Sequence, residues 1–286
     1  MAKTVPPSPA KPASPTDATG TGVAESAALT TLKADPAFAS LRRSLDVYYG
    51  DPAHAAAMDG LTSQFLGPGS RAFDIGSHVG DRIGSFRRAG AKVVALEPQP
   101  LCAKVIAKIY AGDPDVTLVE SACGPKPGTL KLHINSANPT VTTASAEFVK
   151  AASGRDGKTP GGWEGQTWDK TIEVPVTTLD ALIAEHGMPH FIKIDVEGFE
   201  ADVLAGLTRN VPALSFEFTT IQRDVAKACI DRMAAMAAGG YRFKVALGES
   251  HQFAFWRPVT ANNMKAYVDG LPHSANSGDI YAILAA

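Results

Sequence analysis

Cysteine is scarce in this chain: Cys102, Cys123 and Cys229 are its only three, odd in number and far apart over 286 residues. That excludes a disulfide framework and a cysteine metal cage, so the thiols read as reduced core residues. No charge of one sign dominates either, since 27 lysines and arginines face 29 acids for a net charge of −2. Without a basic field, nucleic acid is not expected as an obligate partner. No apolar run approaches the roughly 20 residues that span a bilayer, so no membrane association is expected. The first residues lack the apolar core of a secretory leader, and a cytoplasmic location is the expectation. Also missing is the Gly-x-Gly-x-x-Gly loop that presents a helix N-terminus to a dinucleotide pyrophosphate. What remains is ordinary globular material, 45% hydrophobic, enough for one large domain or a domain plus an appendage.

Residues 1 to about 25 are rich in Pro, Ala, Ser, Thr and Gly and hold almost no large apolar side chains. They cannot bury enough surface to offset their ordering entropy, and a disordered tail is expected. Residues 26–66 carry helical periodicity, with Leu41, Leu45, Tyr48 and Tyr49 on one side and Gly50 as a stop. They are read as helices packed beside the main domain, which occupies 67–286. From Arg71 onward strand and helix signals alternate, the mark of a parallel α/β sheet covered on both faces. The strands expected are 71–75, 92–96, 116–119, 191–195, 213–218, 241–246 and 279–284, the last entering antiparallel. The interval 128–176 breaks this rhythm. Its ends, Thr129–Ile134 and Thr171–Val176, read as a β-ribbon around a loop of about 35 residues containing Trp163 and Trp168. Loops that long in a compact domain are functional or disordered, and a lid with aromatic faces is one reading of it.

Chemistry concentrates at strand ends. The strand Arg71–Ile75 feeds a glycine loop, Gly76-Ser77-His78-Val79-Gly80, and a second apolar run ends in Glu97, twenty-three residues after Asp74. Glycines let the backbone approach a ligand, and a strand-end acid accepts hydrogen bonds from ribose hydroxyls. The spacing Asp-x-Gly-x-x-x-Gly suits a nucleoside cofactor without a pyrophosphate, such as S-adenosylmethionine. A second signal is the run Lys193-Ile194-Asp195-Val196-Glu197-Gly198, a strand ending in acids at a tight turn. If it pairs with the first strand, Asp195 and Glu197 face the glycine loop, where they could orient a cofactor ammonium, hold a divalent metal or accept a proton. Lys193, inside the strand, is read as a buried stem paired with a neighbouring acid. Glu200 reads as either a helix-dipole acid or part of the site.

Four segments in order, "FDIGSHVGDRIGSF", "VVALEPQP", "VPVTTLDALI" and "FIKIDVEGFEADVLAGL", resemble the FkbM-type methyltransferases over about residues 45–245. The resemblance implies an S-adenosylmethionine-dependent enzyme on the Rossmann-like class I methyltransferase fold, with a seven-stranded, mostly parallel sheet and a reversed last strand. It implies cofactor contacts at Asp74, Gly76, Gly80, Glu97 and Asp195, with Ser77 and His78 in the same loop. It also implies an adenine pocket at Glu120-Ser121-Ala122-Cys123-Gly124, where small residues such as Ser121 and Ala122 leave room for a flat ring and Ser121 could hydrogen-bond its edge. The loop departs from the family's usual Gly-Ala-Asn-x-Gly by carrying His78, read as a donor to the cofactor carboxylate or as a substrate contact.

The expected reaction is methyl transfer to a hydroxyl of a sugar or natural product, in which the protein aligns the reactants and excludes water. Asp195, Glu197, Glu217 at the end of the fifth core strand, and His251 before the last strand are the candidate bases. A divalent metal on the carboxylates is left open. Two other readings stand beside this one: a nicotinamide-dependent dehydrogenase, and a non-catalytic module that binds cofactor or a partner protein. Binding of S-adenosylmethionine but not NAD separates the first, and methyl transfer separates the second.

Overall fold

The structure is a computed structural model that describes residues 21–153, 163, 166–238 and 240–285. The expected tail lies outside the described residues as far as position 20, as do parts of the loop bearing the two tryptophans. Helix α1 (Thr21–Ala34) begins earlier than the composition suggested, because Ala24, Ala27 and Ala28 are strong helix formers. After it come α2 (Arg42–Tyr49) and α3 (Pro52–Thr62). Asp51 starts α3 by accepting from the Ala53 amide, with Pro52 at the first helical position.

The alternating part then runs β1 (Arg71–Ile75), α4 (Asp81–Arg88), β2 (Lys92–Leu96), α5 (Pro100–Ile109) and β3 (Val116–Val119). A two-residue β4 (Ala122–Cys123), β5 (Gly128–Ile134), α6 (Ala146–Ala152) and β6 (Lys170–Thr177) form the insertion. The chain continues through α7 (Leu179–His186), β7 (Phe191–Ile194), α8 (Glu200–Ala205), β8 (Ala213–Thr219), α9 (Arg223–Met236), β9 (Tyr241–Leu247), α10 (Ala261–Gly270) and β10 (Ser277–Leu284). Each expected core strand is present within two residues of its expected ends. Helix α9 ends at Met236, three residues before Gly239, which lies outside the described residues.

Seven strands form one sheet in the order β3-β2-β1-β7-β8-β10-β9, with β10 antiparallel to both of its neighbours. This is the class I methyltransferase arrangement, with helices on both faces. On one face Leu182, Val203, Leu204, Ile230, Met233 and Val268 pack on the sheet. On the other, Leu61, Ile83, Phe86 and Ile106 do the same. Burial on both sides explains why β1 and β7 show no alternation of exposed and buried positions, so that even Asp74 and Lys193 are buried. Strand order reverses between β1 and β7, which pair Asp74 with Lys193 and Ile75 with Ile194. That switch point opens a crevice at the strands' carboxyl ends.

Two appendages close the crevice. Leu32, Phe38, Leu41 and Leu45 of the N-terminal helices pack against Val79 and against Cys102, Val105 and Ile109 of α5. The insertion contains the expected antiparallel ribbon of β5 and β6, to which β4 adds a parallel third strand. Among the described residues of its loop, α6 seats Phe148 against Trp163 and Trp168. Among the described residues, no helix is long and apolar enough to cross a membrane.

Candidate active site

A cavity of about 260 Å3 lies over the carboxyl ends of β1, β2, β7 and β8. The loop after β1 forms one wall. Gly76 and Gly80 hold φ of +85° and +86°, and a Cβ on Gly76 would come within 1.8 Å of the Asp195 carbonyl oxygen. Only glycine lets the two strand ends approach this closely. Ser77 donates its hydroxyl to the Asp74 carbonyl at 2.9 Å, tightening the turn.

Glu97, ending β2, ties this loop to the next. Its carboxylate accepts from the His78 amide at 2.8 Å and from the Gln99 amide at 2.8 Å. Burial nevertheless pushes its pKa up to about 8. Asp74 is buried with neither carboxylate oxygen hydrogen-bonded. Burial lifts it to about 6 against the pull of Arg82. A buried carboxylate without donors is costly in a resting fold and signals a missing partner.

Opposite, the β7 end builds a charge cluster. Lys193 is buried, contacts Asp279 of β10 and lies 3.1 Å from Asp195. Burial favours a neutral Asp195, but Lys193 and Arg82 outweigh it and hold this carboxyl below the usual range. Glu197 and Glu217 are pushed well above theirs, first by burial and then by the charge on Asp195. One oxygen from each of the three lies within 4.8 Å of the others. Of the three, Asp195 beside Lys193 is thus the carboxyl whose charged form is favoured, whereas Glu197 and Glu217 are shifted towards the neutral form. Glu197 sits at φ +54°, and the Thr143 hydroxyl fixes this turn by donating to its carbonyl at 2.7 Å. Glu200 braces the same turn by accepting from the Val196 and Gly198 amides, so its position is that of a local support.

His78 lines the cavity with φ +47°. Its ring rests edge-on to Tyr48, with Nδ1 3.5 Å from Cys102 Sγ and Nε2 3.4 Å from Thr140 Oγ1. Burial pushes its pKa down to about 4, leaving a neutral imidazole. Left-handed backbone tolerates Asn far better than a β-branched residue. His78→Val is accordingly expected to be less stable than His78→Asn by about 1–3 kcal/mol in chemical denaturation; equal stabilities would show that the backbone relaxes here.

Ser121 and Ala122 line the far wall. The Ser121 hydroxyl already donates to the Ala122 and Pro175 carbonyls at 2.9 and 3.0 Å, anchoring the ribbon. Its hydrogen is engaged there, so Ser121 has only acceptor capacity for a ring edge. Trp163 reaches the cavity and donates to Asn276 at 3.1 Å. His251 does not reach it: its ring turns away, with Nε2 3.4 Å from that of His54. Burial pushes its pKa down to about 4, followed by the charge on Arg82. Its neighbour Glu249 lines the cavity instead, together with Asp81, Arg82 and Tyr48. Asp81 and Arg82 open α4 directly after Gly80, a helix start aimed at the crevice that the glycine loop itself signals. Burial lifts Asp81 to about 7.

A family model described as the methyltransferase FkbM domain matches residues 74–243, from the end of β1 into β9. No curated protein matches the chain. Similar solved structures include a precorrin-6y C5,15-methyltransferase from Geobacter metallireducens, with 14% identity over 81% of this chain and 87% of that one and a TM-score of 0.41. A TehB-like S-adenosylmethionine-dependent methyltransferase from Corynebacterium glutamicum is 10% identical over 82% of this chain and all of its own (100%), with a TM-score of 0.41. An rRNA methylase from Streptococcus thermophilus is 8% identical over 82% and 98%, with a TM-score of 0.38. Since the family match spans more than half of its length, this chain belongs to the FkbM methyltransferase family and is an S-adenosylmethionine-dependent methyltransferase.

Proposed function

We propose that the enzyme methylates a hydroxyl oxygen of a small molecule, a sugar or natural product, with Asp195, Glu197 and Glu217 handling the proton. The meeting of these three carboxyls at the cavity, with Lys193 3.1 Å from Asp195, supports this reading most. A neutral alcohol is a weak nucleophile that needs its proton removed as it reacts. An anionic Asp195 can accept that proton while Lys193 steadies the exchange. An amine acceptor would fare worse, because the same anion favours its ammonium form, which has no lone pair to react. The aromatic face of Trp163 suits a sugar ring.

The residues present fit the cofactor. Asp74 offers two buried, unpartnered oxygens to a donor-bearing group, and Glu97 keeps lone pairs for ribose hydroxyls. Gly76 and Gly80 allow close approach, Ser77 and His78 line that wall, and Ser121 and Ala122 leave room for a flat ring. S-adenosylmethionine supplies an electrophilic methyl group when bound. The chain's task is then to orient the acceptor oxygen and keep water out. His251 is no longer a candidate base, since its ring faces His54.

The test is a metabolite screen with methyl-labelled cofactor. Label recovered as a methyl ether on a small molecule is the expected result. Label on nitrogen or on RNA would overturn the hydroxyl assignment, and failure to bind S-adenosylmethionine or its demethylated product would sink the cofactor site.

A proton balance offers a second check. Hydroxyl donors favour the charged form of Glu97, whose carboxyl titrates near 8 in the free protein. Binding at pH 7 should therefore expel a proton, and affinity should rise with pH until Glu97 is ionised unaided. Calorimetry of S-adenosylhomocysteine binding in buffers of different ionisation enthalpy reads this directly. Proton release that persists in Glu97→Gln would assign it to another group, with Asp81 the first alternative.

A further inference from the structure

Beside the carboxylate cluster, three side chains from two segments converge that the proposed methyl transfer does not use, although Glu249 also lines the cavity. His54 lies in the first turn of α3, while Glu249 and His251 lie in the turn that follows β9, ahead of α10. We propose that His54, Glu249 and His251 bind a single divalent transition-metal ion, with Zn2+ as its reference occupant.

The spacing carries the argument. Two imidazole nitrogens about 2.05 Å from a tetrahedral zinc lie about 3.3 Å apart. The two Nε2 atoms here lie 3.4 Å apart. A direct hydrogen bond between rings would draw them closer, to about 3 Å. A carboxylate oxygen on the same ion would sit about 3.4 Å from each nitrogen, and Glu249 Oε2 is 3.7 Å from His251 Nε2. One ligand atom from each residue fits within 4.8 Å of the others. Two imidazoles and one carboxylate form the donor set that catalytic zinc and non-haem iron sites use, with a position left open.

The scaffold suits a ligand set. Strand-like pairing brackets the turn, for Ala246 bridges Phe253 and the Ala254 amide donates to the Val245 carbonyl at 2.8 Å. Gly248 and His251 both adopt positive φ, +51° and +49°, which turns the His251 ring inward onto α3. The His251 side chain is 3% exposed, whereas that of Glu249 is 54% exposed, so an ion could enter from the Glu249 side. Arg82, the cation that acts most strongly on His251, is already paired with Asp279 at 3.5 Å, and Lys193 with Asp195 and Asp279. Because Glu249 also lines the cavity, metal loading would fix one of its wall residues and tie the N-terminal helices to the C-terminal sheet.

The experiment is a Co2+ titration of the full chain, freed of any affinity tag, followed by visible absorption, with Zn2+ as competitor. One equivalent should bind with the intense bands of a tetrahedral site, and Zn2+ should displace it. His54→Ala should weaken binding at least tenfold, and Glu249→Gln provides a second, solvent-facing variant if His54→Ala folds poorly. Glu217→Gln should bind as the parent does. Absence of saturable binding would overturn the proposal. So would binding that survives His54→Ala and Glu249→Gln but is lost in Glu217→Gln, which would place the ion on the carboxylate cluster. Neither readout depends on the methyl acceptor.

Discussion

Asp195→Asn is expected to lower turnover by roughly 10²–10⁴-fold, the usual contribution of a positioned acid–base group, while S-adenosylhomocysteine binds within a few-fold of the parent. Asparagine keeps the size of the side chain but not its charge or its capacity to take a proton. Lys193 keeps Asp279 as a partner, so the fold does not acquire a buried, unpaired cation. The loss should therefore fall on kcat rather than on stability. Loss of Asp195 also removes the charge that helps hold Glu197 and Glu217 above their usual pKa range. Any residual activity should then shift its alkaline limb towards lower pH. A variant that turns over at the parent rate would move the chemistry away from this cluster.

The second large effect is on binding. Glu97→Ala removes the acceptor for two ribose hydroxyls, and hydrogen bonds to a charged group contribute about 1.5–3 kcal/mol each. A loss of about 3 kcal/mol or more, roughly a hundredfold in Kd, is expected by calorimetry. The His78 and Gln99 amides also lose their acceptor, but they line the cavity, where water can replace it. The variant should melt cooperatively at a lower temperature. Unchanged affinity would refute the ribose assignment. A variant that no longer melts cooperatively would mean that the tie between the two loops is structural first.

Much of this architecture is legible before any coordinates. The inner strands announce themselves as short, mostly apolar runs between turn residues because both faces of the sheet are covered, and β1, β2 and β3 have the ends expected from the sequence. The same logic places Asp74, Glu97, Asp195, Glu197 and Glu217 at strand ends, and all five line one cavity. What stays hidden depends on contacts between distant segments. Two-residue β4 has no pattern of its own, and only β6 makes it a strand. Helix α6 is a short amphipathic turn inside a Ser/Thr/Gly-rich stretch, recognisable once Phe148 has a place to pack. Glu249 and His251 are two residues apart in one turn, and local sequence does not say which faces the cavity. That is settled by positive φ at Gly248 and His251 and by the presence of α3.

The reversed strand β10 has a temporal consequence. It delivers Asp279 to Lys193, a residue made 86 positions earlier, and with it Asn276 and Ser277 to the cavity wall. A nascent chain that has already produced every acid of the cluster still lacks the carboxylate that shares Lys193 with Asp195. The enzyme's charge balance therefore closes only when β10 leaves the ribosome and inserts between β8 and β9.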